Sequence, residues 1–141
     1  MLLKDTPLAT IDMKIVDVTI PIHNENIENL LASLKKVDKY LKTLSTELAF
    51  NYNLTIACSA VPKATNNAIY KFVKNQTHMR FVRTEKKGRG RVLKEAWLSS
   101  NSDIVMYMDV DLATDLSSVQ ALLDPLLSGY TGIVIGNRRL K

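Results

Sequence analysis

Ile104-Val105-Met106-Tyr107-Met108-Asp109-Val110-Asp111-Leu112-Ala113-Thr114 decides how the rest of the chain is read: an unbroken apolar run gives way to two aspartates one residue apart. A continuous apolar run of this length predicts a strand buried on both faces, in a parallel sheet under helices. Side chains at i and i+2 of an extended chain point the same way, so Asp109 and Asp111 are expected to present paired carboxylates at the strand's carboxyl end. Ligands of open α/β sheets bind at that end. Neighbouring carboxylates repel, and in a partly dry site a proton or a cation must relieve them. Mg²⁺ and similar hard cations take oxygen ligands, combining one or two carboxylates with substrate phosphates. The pair therefore suggests a metal–diphosphate site. Asp-x-Asp is also common by chance, and Asp111 and Asp115 equally suit the cap of a following helix; the place behind a buried strand favours the ligand.

Working outward, Thr114 or Asp115 can cap a helix whose inner face is Leu116, Val119, Leu122, Leu123, Leu126 and Leu127. Pro125 should kink or divide that helix, and Gly129 end it. Thr131-Gly132-Ile133-Val134-Ile135 predicts a last strand, with Gly136-Asn137-Arg138-Arg139 beyond. Towards the amino terminus, Ile15 to Ile22 is rich in β-branched residues and predicts the first strand, stopping at Pro21. His23-Asn24-Glu25-Asn26 follows as a polar loop, placed for a ligand and equally for capping a helix by Asn24 or Asn26. Ile27, Leu30, Leu31, Leu34, Val37, Leu41, Leu44 and Leu48 then fall on one helical face. Leu54 to Ala57 predicts strand two, Cys58 to Lys63 a loop, and a helix from near Thr65 carries Ala68, Ile69, Phe72 and Val73 inward. Met79 to Arg83 predicts strand three, and Val92, Leu93, Ala96 and Trp97 one face of a further helix. Residues 1–14 give no clear element and are set aside as a poorly ordered extension. Five strands alternating with four helices predict one α/β domain over residues 1–141, a mainly parallel, Rossmann-like sheet with right-handed crossovers.

Composition narrows the classes. The chain has 141 residues, of which 46% are apolar and 23% charged, ordinary for a globular domain. Its single cysteine excludes an internal disulfide framework and a multi-cysteine zinc site, and fits a reducing, cytoplasmic compartment. No apolar run approaches the ~20 residues that span a bilayer, and Met1 to Thr10 lacks a signal-peptide pattern. A net charge of +5 favours an anionic partner without choosing among nucleic acid, nucleotide phosphate and lipid headgroups.

Lys87-Gly88-Arg89-Gly90-Arg91 is the second constellation. Its glycines let backbone amides approach an anion, a helix start behind them adds a favourable dipole, and arginines add bidentate contacts to phosphate. A solvated basic turn would look the same. The run could also grip nucleic acid, although the lack of nearby exposed aromatics weakens the case for a single strand. His78 reads as a surface loop residue and Cys58 as a small buried hydrophobe rather than a nucleophile.

Together these stretches resemble the family 2 glycosyltransferases of GT-A fold, most of all the dolichyl-phosphate mannosyl- and glucosyltransferase-like branch, from about Val16 to Arg138. Pro21-Ile22-His23-Asn24-Glu25 is similar to the family's strand-one signature, Lys87-Gly88-Arg89-Gly90 to its glycine turn, Tyr107 to Leu116 to its Asp-x-Asp segment, and Ile133 to Arg138 to its Gly-Ser-Arg strand. The resemblance implies a metal-dependent enzyme that transfers a sugar from a nucleoside-diphosphate sugar to a polyprenyl phosphate at the cytosolic face of a membrane. It implies Mg²⁺ or Mn²⁺ on Asp109 and Asp111, which serve the catalysis, and a donor held by Pro21, His23, Asn24, Glu25, Lys87, Gly88, Arg89, Arg91, Asp109 and Arg138. Two departures go with it. Cys58-Ser59-Ala60-Val61 stands where the family carries an acid for the nucleotide, and losing one charged hydrogen bond costs about 1.5–3 kcal/mol. Family members also continue past Arg138 to build the acceptor side, so the chain is expected to be a donor-binding half. Alternatives are a non-catalytic nucleotide-sugar-binding module and a basic nucleic-acid-binding α/β domain.

Overall fold

The computed structural model describes residues 12–111 and 115–137. Its elements alternate in chain order: β1 (Ile15–Ile22), α1 (Ile27–Leu48), β2 (Asn51–Ser59), α2 (Lys63–Val73), β3 (Met79–Thr84), α3 (Arg89–Leu98), β4 (Ile104–Tyr107) and α4 (Ser117–Leu127). The strands form one sheet in the order β3-β2-β1-β4, and every neighbouring pair is parallel.

That order fixes where the helices go. From β1 to β3 the sheet grows in one direction, and then the chain returns across it to place β4 beside β1. Right-handed crossovers put helices that travel in opposite directions on opposite faces. Packing agrees. Leu30, Leu34, Val37, Leu41 and Leu44 of α1 and Ile69 and Val73 of α2 share one core with Val16, Val18, Ile20, Ile22, Leu54 and Ile56. On the other face, Val92 and Ala96 of α3 close over Ala57, flanked by Val82 and Trp97. Val119 and Leu123 of α4 join the larger core.

Local chemistry sets the ends. Asn26, not Asn24, caps α1, its side chain accepting from the Asn29 N–H at 3.2 Å. α4 runs unbroken through Pro125 and stops two residues later. There the Tyr130 N–H bonds the Pro125 carbonyl and the Gly129 N–H the Leu126 carbonyl, at 3.0 and 3.2 Å. This is a Schellman end, with Gly129 supplying the positive φ of 74°. Pro21 is tolerated inside β1 for a definable reason. Thr19 accepts a bond from Met108 on the β4 side, so the nitrogen of Pro21, two residues on, faces the same edge just beyond the end of β4.

Three expectations about the strands need correcting. The aspartate strand is not buried on both faces: β4 lies at the sheet edge, and Val105 and Tyr107 remain 36% and 47% exposed. Cys58 and Ser59 are not loop residues but the last pairs of β2, held by Ile22 and Arg83 and by Thr84. The last strand is also absent among the described residues. Thr131 Oγ1 takes both backbone groups of Ile133, at 3.1 and 3.3 Å, the groups a ladder would need. Ile133 and Ile135 stay 79% and 84% exposed.

The face under α3 holds a buried polar knot. Asp17, the third residue of β1, is wholly inaccessible, and a charge so placed must be paired. Thr55 Oγ1 and Arg80 Nη1 each donate to its carboxylate at 2.6 Å and Ser100 Oγ at 2.7 Å, while Arg80 Nη2 also holds Ser99. Removing one partner of such a pair strands the other. Asp17→Ala is therefore expected to lower the unfolding free energy by about 3 kcal/mol, the low end for a broken buried pair, because Arg80 keeps Ser99 and some solvent. Urea unfolding monitored by circular dichroism checks it: the midpoint falls while the slope is unchanged.

Candidate functional site

Strand order reverses between β1 and β4, and ligands of open α/β sheets bind in the crevice outside the strands' carboxyl ends at such a point. Three segments converge there: the turn after β1, the residues after β4, and the glycine turn that starts α3.

In the first segment His23 and Asn24 are exposed and Glu25 half-buried. Glu25 folds back, Oε2 accepting the His23 N–H at 2.8 Å, so the turn is braced before any ligand arrives. In the glycine turn, Gly88 has φ of +141°, a conformation that side-chain-bearing residues rarely adopt. Its N–H donates to Ser59 Oγ at 2.8 Å. Lys86 places its carbonyl within 3.3 Å of the same hydroxyl and 3.0 Å of Thr84 Oγ1. Ser59 is thus a positioning residue that sequence reasoning missed: it holds the turn from the end of β2, and its signal would have been a polar residue where an apolar strand ends. No side chain caps α3, leaving the amides of its first turn as donors for an anion.

In the third segment, Asp109 is half-buried and Asp111 exposed in the following turn. Arg89 Nη2 forms an ion pair with Asp109 Oδ1, bringing the basic turn and the aspartate motif together. Asp115 Oδ1 accepts the Ser117 N–H at 3.1 Å. Its hydrogen bonds to Ser117 hold its carboxyl below the usual range, but the N-cap of α4 is Leu116, one residue on, and no side chain caps this helix. The donor set suits a hard cation: carboxylate oxygens, one of them already against a guanidinium. Among the described residues no group of three or more His, Cys, Asp or Glu gathers, so two carboxylates would leave the remaining coordination to phosphate and water.

Pro21, Ile22, His23, Glu25, Ser59, Gly88, Arg89 and Val92 line one cavity of about 390 Å³. It unites five of the sequence-selected residues. Lys87 and Arg91 are exposed on the same turn and Asn24 on the first loop, none of them on the cavity wall; Arg138 lies outside the described residues. A second cavity of about 390 Å³ opens at the ends of β2 and β3, walled by Cys58, Ala60, Val61, Asn66, Arg83, Thr84 and Glu85. Here Asn66 Oδ1 is buried with no hydrogen-bond partner among the described residues, and Ala60 has a positive φ of 49°. Glu85, remote in sequence, lines the same cavity as Cys58. His78 is not a free surface residue: its Nε2 lies 2.8 Å from Asp38 Oδ1, which Tyr52 also bonds.

A family model described as Glycosyl transferase family 2 matches residues 17–141. No curated protein matches the chain.

Cys58 gives the site's clearest solution signature. Burial first, then the Glu25 charge, push its thiol up to about 12, so at pH 8 only about one thiol in ten thousand is ionised. Iodoacetamide is expected to leave Cys58 unmodified in the native protein and to label it fully in guanidinium. The thiol ionises more readily in the unfolded chain, so its stabilising contribution is complete below about pH 9 and lost as pH rises towards 12.

Proposed function

The chain belongs to glycosyl transferase family 2, and from that membership we propose that it binds a nucleoside-diphosphate sugar together with Mg²⁺ or Mn²⁺ held by Asp109 and Asp111, and passes the sugar to an acceptor. Family membership implies the nucleotide-sugar donor. What carries the fuller proposal is the ion pair between Arg89 and Asp109, which joins the anion-binding turn to the cation-binding acids at the end of the sheet.

The parts divide by charge. Lys87, Arg89, Arg91 and Arg138, with the first amides of α3, take the diphosphate oxygens. Pro21, His23, Asn24 and Glu25 line the nucleoside side. Glu85 and the unpartnered Asn66 Oδ1 accept N–H donors of the base, replacing the acid expected beside Cys58. A divalent cation, when bound, offsets the negative charge that gathers on the leaving diphosphate. Arg89 adds to that from a fixed direction, since the Gly88 turn is held by Ser59. The acceptor we take, from the resemblance, to be a polyprenyl phosphate at a membrane's cytosolic face. A phosphate monoester is already an anion and needs no general base. No helix among the described residues is long and apolar enough to cross a membrane.

Thermal shift with GDP, UDP and their sugars tests donor and metal together. A ligand at one hundred times its dissociation constant stabilises by about 2.7 kcal/mol, several degrees in a domain of this size. We expect one nucleotide series to give that shift only with Mn²⁺ or Mg²⁺, and Asp109→Asn with Asp111→Asn to abolish it. No metal-dependent shift from any sugar nucleotide overturns the proposal. Radiolabelled donor with polyprenyl phosphate then separates a transferase from a module that binds without turnover.

A further inference from the structure

Two tasks compete for Arg89. Its side chain lines the cavity with Pro21, His23 and Glu25, where a diphosphate would need it. The same guanidinium is held by Asp109 Oδ1, where a cation would need the oxygen. The Asp109 side chain is 24% exposed and has the guanidinium as a counterion. Arg89 is 58% exposed, so it can swing away without leaving water. Its backbone cannot follow, because Gly88 is tied to Ser59 and Val92 to Gly88.

Resting on the proposed donor site, we propose that Arg89 is a displaceable counterion that keeps Asp109 closed to a divalent cation until a diphosphate draws the guanidinium away. Asp109 exchanges a guanidinium for the cation, and Arg89 exchanges a carboxylate for phosphate oxygens. Each charge has a counterion both before and after the exchange. Cation and nucleotide then strengthen each other's binding beyond what their direct contact gives, and by linkage the added coupling is the same from either side. The protein would hold free cation weakly in the absence of donor, leaving its metal site to be filled with the substrate rather than before it.

The test measures Mn²⁺ alone, from loss of the free-ion electron paramagnetic resonance signal, and GDP and UDP alone by calorimetry, on the whole chain. An exposed ion pair is worth at most about 1 kcal/mol, a factor of about five. Arg89→Gln is therefore expected to bind Mn²⁺ alone about three- to fivefold more tightly and the nucleoside diphosphate about tenfold more weakly. Lys94→Gln, which removes an exposed charge from the same helix, controls for net charge and should change neither. The opposite signs are the diagnosis, because a merely structural arginine would weaken both. Equal Mn²⁺ affinity in wild type and Arg89→Gln, with nucleotide binding weakened, overturns the counterion role and leaves the donor site standing. Equal tightening by Lys94→Gln also overturns it. If neither protein takes up millimolar Mn²⁺ with or without nucleotide, the cation site itself fails, and the counterion role with it.

Discussion

The handedness of the crossover between parallel strands organises this domain. Once the chain has laid β1, β2 and β3 side by side, the next strand pairs at the free edge of β1, and a right-handed return carries α3 to the opposite face. The first turn of α3 then arrives over the ends of β1 and β2, opposite the residues that follow β4. Gly88 and Asp109 are thereby brought into one neighbourhood although a helix and a strand separate them in sequence. The crevice is a consequence of sheet order, and the residues in it are refinements of a place that topology had already made.

The same return leaves α3 as the one described helix on its face, and that shapes the sheet beneath. A single short helix with Val92 and Ala96 inward covers a small apolar area, so positions 17, 19, 55 and 59 are threonine, serine or aspartate although all are buried. Asp17, Thr55, Arg80 and Ser100 satisfy one another at the centre. Ser59 uses its buried position differently, spending its hydroxyl on the glycine turn. On this face Ser59 thus joins β2 to the functional turn by a directed bond, while the other face relies mainly on apolar contact, with Asp38 held by Tyr52 and His78 at its margin.

The contrast explains what the sequence made legible. β1 and α1 were readable because their partners follow from periodicity: the stripe from Leu30 to Leu44 is apolar whatever it packs against. The alternation of strands and helices gave the class and the carboxyl-end site. Asp17 was hidden because its necessity lies in Arg80, sixty-three positions away, and no local pattern announces a pair that distant. His78 was misread for the same reason, since Asp38 and Tyr52 that hold it belong to other elements. β4 looked central because apolar runs report hydrophobicity, not order in the sheet. The segment after α4 had strand-like residues, yet the hydroxyl of Thr131 competed for the backbone of Ile133 and won.

Stability does not account for the joint between the two motifs. An ion pair as exposed as Arg89 with Asp109 contributes about 0–1 kcal/mol, less than the strain that a non-glycine residue would meet at Gly88. A fold seeking rigidity would have buried this pair, as it buried Asp17 with Arg80. Here the arginine is left in water on a backbone pinned by Ser59, and the acid is left half-covered. Weak attraction between partners held at fixed origins is the condition under which a stronger anion or a stronger cation can separate them at small cost. The two aspartates are therefore best understood through the charge that replaces the guanidinium, with the Ser59-held glycine turn fixing the point from which the arginine swings.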